Sequence, residues 1–207
     1  MYARTSMIQG DPAKADEAIA HVRDTVLPAV TAMPGCVGMS LLVDRDTGRA
    51  VATTAWESDE AMQSTAEVVR PLRSGAEQIL GGSASTVDTW EVSAVHRDHA
   101  VPDGACARVT WLHGEPAAVE RAPDVFKMAL LPKFQEMPGF CSASHMVDRA
   151  GGRWVGTVIF DSRQDLEASR DPAAALRQAA TREIGATVDE VAEFEVALAH
   201  LHIPEMA

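Results

Sequence analysis

The sequence predicts an α+β protein in which two tandem ferredoxin-like (βαββαβ) repeats pack sheet to sheet as an intramolecular dimeric-type α+β barrel. Three observations lead to this prediction. The chain contains one long internal repeat, each copy has the same order of strand and helix signals, and the predicted strands are apolar on both faces.

The internal repeat is clearest between Met33–Ser58 and Met137–Ser162, which both begin with Met-Pro-Gly and end with serine. One offset of 104 residues aligns both halves without a gap, and roughly 28 of about 94 aligned positions are identical. A repeat of this length is a domain. We therefore predict repeat 1 at residues 1–96, a polar linker at 97–105 and repeat 2 at 106–201.

Each copy begins with a strand, predicted at Tyr2–Gln9 in the first repeat, and continues into an amphipathic helix. Asp11-Pro12 has the composition of a helix start, with an N-cap acid before a proline. Pro28 and Pro132 lie inside the predicted helix of each copy. Each removes a backbone hydrogen bond, so we expect a kink at both positions.

The second half of each copy begins with a strand hairpin that turns at a glycine, Gly48 in the first repeat. A second helix follows Ser58, and we expect interruptions near Pro71 and, in the second copy, at Pro172. The last strands are predicted at Val87–Val95 and Val191–Ala199.

The strand after Gly35 shows why the two sheets should cover each other. Val37, Met39 and Leu41 alternate with Cys36, Gly38 and Leu42, so both faces are largely apolar. Helices cover one face of a ferredoxin-like sheet, and the other face needs a second sheet. We therefore expect a monomeric pseudo-dimer, or a homodimer of it.

The composition excludes several classes of partner. The net charge of −12 on 207 residues leaves no basic stripe for nucleic acid. No apolar run is long enough for a membrane span, and no signal-peptide pattern is present. Three cysteines without CxxC spacing predict neither a disulfide framework nor a metal site. We expect a cytoplasmic protein with a small hydrophobic or aromatic molecule as its partner.

Two stretches carry a family resemblance: the PG-x-x-G-x-x-L-L pattern from Pro34 and the Trp56–Met62 stretch WESDEAM. Together they resemble the antibiotic biosynthesis monooxygenase family of dimeric α+β barrels. The resemblance implies a pocket between sheet and helices in each repeat for a small, flat, apolar ligand. It also implies members of several kinds, among them cofactor-free oxygenases and heme-degrading enzymes.

The resemblance carries over to few positions. Trp56 matches the family tryptophan that lines the pocket, and Phe160 replaces it in the second copy. No histidine lies between Trp56 and His96, where the heme-degrading branch places its iron ligand. The chain also has no asparagine, and Ala52 stands where the cofactor-free branch has one. These departures disfavour heme chemistry of that type and an asparagine-dependent mechanism.

His145 and His113 are the candidate catalytic residues, as general bases. His145 occupies the position of Leu41 in the first copy, which makes it the sharpest difference between the repeats. The alternative for His145 is a buried, hydrogen-bonded histidine, and the alternative for His113 is a satisfied residue at a strand end.

Four aromatic residues are candidate substrate-binding walls: Trp56, Trp111, Trp154 and Phe160. The alternative is ordinary core packing, which large aromatic side chains also provide. Arg4 and Arg108 are duplicated strand arginines, and the alternative to a functional role is that they pair with Glu91 and Glu195 across the sheet.

These residues predict a cofactor-independent monooxygenase-like protein that acts on a small aromatic or polyketide-like substrate. No cofactor is expected. The alternative is a non-catalytic protein of the same fold that binds a hydrophobic small ligand or heme. A further alternative is that one copy has lost its pocket and serves only as the structural partner.

Overall fold

The computed structural model describes residues 1–82, 85–201 and 204, and within them both repeats follow the same order of elements. The first repeat comprises β1 (Tyr2–Gln9), a 3-10 turn (Pro12–Lys14), α1 (Ala15–His21), a π-helical segment (Val22–Val26), α2 (Leu27–Thr31), β2 (Cys36–Asp44), β3 (Arg49–Trp56), α3 (Asp59–Ser64), α4 (Ala66–Leu80) and β4 (Ser85–Arg97). The second comprises β5 (Cys106–His113), α5 (Pro116–Val125), a π-helical segment (Phe126–Leu130), α6 (Leu131–Gln135), β6 (Phe140–Asp148), β7 (Arg153–Phe160), α7 (Arg163–Ala168), α8 (Arg170–Ile184) and β8 (Thr187–Leu201).

Helix starts follow the predicted capping chemistry. The Asp11 carboxylate accepts a hydrogen bond from the backbone N–H of Ala13 at 2.9 Å. Ser58 caps α3 by accepting from the N–H of Ala61 at 3.1 Å, and Ser162 caps α7 in the same way. Each cap satisfies a donor that a helix N-terminus would otherwise leave unpaired.

The two prolines of the first helices coincide with π-helical segments. Val22–Val26 ends directly before Leu27-Pro28, and Phe126–Leu130 ends directly before Leu131-Pro132. A proline ring clashes with the carbonyl four residues earlier and has no N–H, so the wider π turn relieves both conflicts. The predicted kink therefore takes the form of a π segment in each repeat.

The expected interruptions near Pro71 and Pro172 are wrong. Helix α4 runs from Ala66 to Leu80 with Pro71 inside it, and α8 runs from Arg170 to Ile184. The chain breaks earlier, at Thr65 and Ser169, which separate the short helix from the long one in each repeat. Pro172 lies in the first turn, where a backbone N–H has no intrahelical acceptor, so it does not disturb the helix.

The chain divides into two compact units, and the strand pairings described below each lie within one of them. One consists of Met1–Thr89 with Phe194–Leu201, and the other of Trp90–Glu193. In the first unit β3 lies between β1 and β2, and the second half of β8 pairs with β2. In the second unit β7 lies between β5 and β6, and the second half of β4 pairs with β6.

The hydrogen-bonded order of the eight strands is β1-β3-β2-β8-β5-β7-β6-β4, in a closed barrel. Strands β4 and β8 are longer than predicted because each runs from one unit into the other. The predicted fold class of two ferredoxin-like repeats forming an α+β barrel is confirmed.

The apolar core of each unit lies between its sheet and its helices. Trp56, Met62 and Val30 are almost fully buried in the first unit, and Phe160, Leu166 and Val119 in the second. Among the described residues, none of the helices has the length and apolar character that a membrane span requires.

Candidate functional site

The second unit contains a cavity of about 80 Å³ between its sheet and its helices, which we call the second cavity. Helix residues from α5, the π segment, α6 and α8 form one wall, and strand residues form the other. The side chains that line it are mostly apolar, with Arg108, Arg177 and His145 as its charged or titratable members.

Strand periodicity determines which side chains reach this cavity. Arg108, Thr110 and Leu112 of β5 line it, and they are separated by two residues each. The even-numbered positions from Trp154 to Phe160 of β7 do the same. Because successive side chains of a strand point to opposite faces, the intervening residues face the other side of the sheet.

His145 on β6 is the buried histidine of the second cavity, with 2% of its surface exposed. The Phe126 ring packs against it with 4.9 Å between ring centroids. Gly156, which also lines the cavity, is its register partner on β7. Burial, with a smaller contribution from Lys127, lowers the pKa of His145 to about 3, so the imidazole is neutral at pH 7.

Ser93 on β4 holds the His145 ring. Its Oγ lies 2.7 Å from Nδ1 and also donates to the backbone carbonyl of His145 at 3.0 Å. When the serine proton goes to the carbonyl, Nδ1 carries the imidazole proton and donates to Oγ. Nε2 is then an unprotonated nitrogen, and the described residues provide no hydrogen-bond partner for it.

Arg108 is fully paired beside the same cavity. Its guanidinium donates to Glu193, Ser169 and the carbonyl of Leu166, each at 2.8 Å. Arg170 also donates to Glu193 at 2.7 Å. Burial opposes ionisation of Glu193, but the hydrogen bonds from Arg170 and Arg108 outweigh it and lower the pKa of this carboxyl.

Arg177 on α8 is the other cation of the second cavity. It is partly buried, and burial, followed by repulsion from Arg108, lowers the pKa of its guanidinium. No carboxylate of the described residues pairs with it. Two arginines therefore line the second cavity, and the carboxylate that pairs with Arg108, Glu193, is not among its lining residues.

The first unit has an equivalent cavity of about 50 Å³, which we call the first cavity. Arg4 and Arg73 line it at the positions aligned with Arg108 and Arg177. Leu41 replaces His145 and Ala52 replaces Gly156. The first cavity thus lacks a titratable base and is smaller.

Arg4 differs sharply from its counterpart Arg108. It is 5% exposed and donates through Nη2 to the carbonyl of Met62. Its Nη1 is buried and lacks a hydrogen-bond partner among the described residues. Position 89, aligned with Glu193, is Thr89, so the carboxylate of the second repeat has no equivalent.

The structure brings three of the predicted site residues together. His145, Trp154 and Phe160 all line the second cavity. Trp56 and Trp111 are not among the residues that line either cavity. Trp56 is fully buried, donates through its indole N–H to Thr54 Oγ1 at 3.1 Å, and lies 5.9 Å from the Arg4 guanidinium.

His113 lies apart from these residues, at the exposed end of β5. Its Nδ1 is 2.6 Å from a carboxylate oxygen of Asp189, and 52% of its side chain is exposed. Strand alternation places it on the opposite face from Leu112, which lines the second cavity.

The alternative pairing of the strand arginines with Glu91 and Glu195 is not found among the described residues, since Arg4 donates to the Met62 carbonyl and Arg108 to Glu193. Glu195 accepts from Arg45 at 2.8 Å, and Glu91 accepts from Arg149 at 3.0 Å. Sequence reasoning also missed Arg73 and Arg177 as cavity residues. Their identity in both copies was the available signal, because exposed helix arginines seldom recur at one aligned position without a shared contact.

One trio of potential metal ligands occurs among the described residues: His99, Cys141 and Asp161, with ligand atoms within 4.8 Å of one another. His99 is already bonded to Asp161 at 2.7 Å and to Asp98 at 3.2 Å, and these bonds raise its pKa. Burial raises the pKa of the Cys141 thiol, which disfavours the thiolate that a metal needs. The three residues therefore form a hydrogen-bonded cluster, and their contacts do not require a metal ion.

Fold and cavities define a tandem α+β barrel with one sheet–helix pocket in each repeat. The model of the antibiotic biosynthesis monooxygenase family matches residues 1–65. Two uncharacterized proteins of Mycobacterium tuberculosis (strain ATCC 25618 / H37Rv) are similar over the whole chain. Rv2557 is 45% identical over 206 residues, which cover 100% of this chain and 92% of that protein. Rv2558 is 46% identical over 207 residues, with 100% and 87% covered. The chain belongs to the antibiotic biosynthesis monooxygenase family.

Solved structures share the fold at low sequence identity. An anthrone oxidase-like protein aligns with a TM-score of 0.66 at 17% identity, over 94% of this chain and 90% of that chain. A heme-degrading enzyme from Listeria monocytogenes aligns with a TM-score of 0.54 at 10% identity, over 93% and 98%. At such identities the likeness shows the fold alone.

Proposed function

We propose that this protein is a cofactor-independent monooxygenase-like protein that oxidises a small activated phenol in the second cavity. The observation that carries the proposal is His145, a neutral imidazole held at Nδ1 by Ser93 in a largely apolar cavity. Such a cavity desolvates and orients an aromatic ring, and the free Nε2 provides a proton acceptor.

The proposed chemistry starts with transfer of the phenolic proton to His145 Nε2. A pKa of about 3 makes the imidazole a weak base in the empty cavity. A phenolate formed beside it favours the imidazolium, because opposite charges attract strongly in a desolvated site. Arg177 adds positive charge on the helix side of the cavity, which also favours the phenolate.

The electron balance needs no cofactor. The electron-rich phenolate gives electrons to O₂, and a C–O bond forms at an activated ring or methylene carbon. Loss of water then leaves a carbonyl. One oxygen atom enters the product, the other leaves as water, and the substrate supplies all four electrons.

The size of the second cavity limits the substrate. An apolar cavity of about 150 Å³ holds benzene, so the second cavity, at about 80 Å³, must widen to accept even a single ring. This favours a one-ring phenol over a larger polyketide. Heme is several times larger than this cavity, and no step of the proposed mechanism uses it.

Trp154 and Phe160 would form the aromatic wall of this pocket. Trp56, Trp111 and His113 remain sequence-based candidates for binding or proton transfer, and the same assay tests them. A cytoplasmic location remains part of the proposal, and the free thiols of Cys36, Cys106 and Cys141 are compatible with a reducing compartment.

Oxygen consumption with a panel of one-ring and multi-ring phenols tests the proposal. We expect uptake with at least one activated phenol, and loss of uptake in His145→Leu, which installs the side chain of the first repeat. Uptake that is unchanged in a folded His145→Leu protein would contradict the role of His145.

A non-catalytic binding protein is the second candidate function. The first cavity favours it, because that cavity has the same architecture but a leucine in place of the histidine. Saturable binding of phenols without oxygen consumption would support this alternative over the oxygenase.

A further inference from the structure

The first cavity contains a buried positive charge that the protein itself does not neutralise. Arg4 is 5% exposed, and Nη1 has no hydrogen-bond partner among the described residues. Burial, followed by repulsion from Arg73, lowers the pKa of Arg4. Arginine nevertheless stays protonated at neutral pH, so the cation persists in the free protein.

The second repeat shows what such an arginine requires. Arg108 donates to Glu193 and Ser169, whereas the aligned positions in the first repeat are Thr89 and Thr65. Thr65 donates to the carbonyl of Met62 at 2.9 Å, as Ser169 does to the carbonyl of Leu166 at 2.7 Å, but Arg4 Nη1 makes no hydrogen bond to the Thr65 hydroxyl. The first repeat therefore keeps the arginine but lacks the carboxylate.

The remaining groups around the first cavity do not replace that carboxylate. Glu77 lies 3.6 Å from Arg73, one helical turn away on α4, and accounts for that second cation. The other residues that line the cavity are apolar or bear hydroxyl groups. A buried arginine with an unused N–H beside an apolar cavity has the chemistry that recognises a carboxylate on a hydrophobic body.

We infer that the first cavity is a second binding site that takes a small apolar monocarboxylate, with the carboxylate on Arg4 Nη1 and the apolar part among the helix side chains. The site has no titratable base at position 41, so it binds this anion without transforming it. Anion binding in the first cavity does not depend on oxygenation in the second cavity, because a binding titration needs no enzymatic turnover.

A fluorine-19 NMR titration with 4-fluorobenzoate tests the site. The first cavity, at about 50 Å³, must widen to admit a ring, so 4-fluorobenzamide is the neutral control of the same shape that needs the same widening. We expect the wild-type protein to bind the benzoate at least about tenfold more tightly than the amide. Arg4→Met should lose this preference, because it keeps the length of the side chain but removes its charge. Equal affinity for both probes would overturn the inference.

Thr89→Glu provides a second test that removes no group from the cavity. It introduces the carboxylate that the second repeat has at position 193, and β4 is the hydrogen-bonded neighbour of β1. We expect it to weaken benzoate binding at least about tenfold by occupying Arg4. Unchanged binding in Thr89→Glu would contradict the site.

Gly156→Leu separates the two cavities. It fills the second cavity and leaves the first intact, so we expect benzoate affinity to be retained. Loss of benzoate binding in this variant would assign the anion to the second cavity and overturn the inference. The oxygen-uptake assay tests the proposed oxygenase separately, because benzoate binding in the first cavity does not require oxygenase activity.

Discussion

Arg108 donates to Glu193 at 2.8 Å, and both partners lie largely out of solvent. The aligned Arg4 is equally buried but lacks a carboxylate partner among the described residues. A duplication thus produced two arginines with the same position in the fold and opposite electrostatic environments. The two repeats should therefore respond differently to the same substitution.

Replacement of each arginine by methionine tests this difference. We expect Arg108→Met to lower the free energy of unfolding by about 3 kcal/mol, because it removes four hydrogen bonds to three partners and leaves Glu193 with Arg170 alone. Arg4→Met should be neutral or stabilising by about 1 kcal/mol, since it removes an uncompensated buried charge. Urea unfolding at pH 7 compares the two, and equal destabilisation would contradict the asymmetry.

Acid should destabilise the protein in part through His145. Its pKa is about 3 in the folded protein and about 6.5 when unfolded, so the unfolded state binds more protons between these values. Stability from this group is complete above pH 6.5 and falls by about 1.4 kcal/mol for each pH unit below it.

His145→Leu removes that titration. Relative to wild type, the variant should gain about 3 kcal/mol of stability between pH 6.5 and pH 4. Urea unfolding of both proteins across this range measures the difference. A difference in stability that stays constant with pH would show that His145 does not titrate as its burial requires.

Ser93 should affect turnover by positioning the His145 ring. In Ser93→Ala, Nδ1 loses its partner at 2.7 Å and the imidazole loses its fixed tautomer. We expect kcat for phenol oxidation to fall about tenfold or more, with a smaller change in KM. Ser93→Thr keeps the hydroxyl and should restore most of the activity, and failure of this rescue would argue for a purely structural effect.

Gly156 should control access to the second cavity. It lies opposite His145 in the register, and its backbone is not in the positive-φ region. A leucine there fits the strand conformation but fills space beside His145. We expect Gly156→Leu to abolish phenol-dependent oxygen uptake while the circular dichroism spectrum stays unchanged.

The control for Gly156→Leu is Met128→Gln, a substitution at a side chain that is 80% exposed in the adjacent π segment. Uptake should persist in this control. Oxygen uptake that persists in Gly156→Leu would show that the reaction occurs outside the second cavity.

The fold could be predicted from the sequence because two independent patterns, the internal repeat and the strand periodicity, indicate the same strands and helices. Two copies of one pattern support each other, so Tyr2–Gln9 matches β1 residue for residue. The prediction of an interruption near Pro71 was wrong because the opposite face of α4 packs against the core, and this packing keeps the helix continuous through the proline. The exposed flank of α4 leaves room for such a residue.

The site was only partly predictable. His145 stood out because it replaces a core leucine, and the structure places it in a cavity. Glu193 did not stand out, because the register of β8 decides which of its acids faces Arg108. Glu193 and Glu195 are two residues apart and so share a face of the strand by alternation, and the sequence alone does not say which of them reaches Arg108.

Strands β4 and β8 each begin in one compact unit and end in the other. Each unit consequently contains the last half-strand of the other repeat, and neither repeat holds a complete sheet in its own sequence. Expression of residues 1–97 alone would give a chain whose final strand lacks its partner β6. We therefore expect the two units to fold cooperatively and the protein to unfold in a single transition.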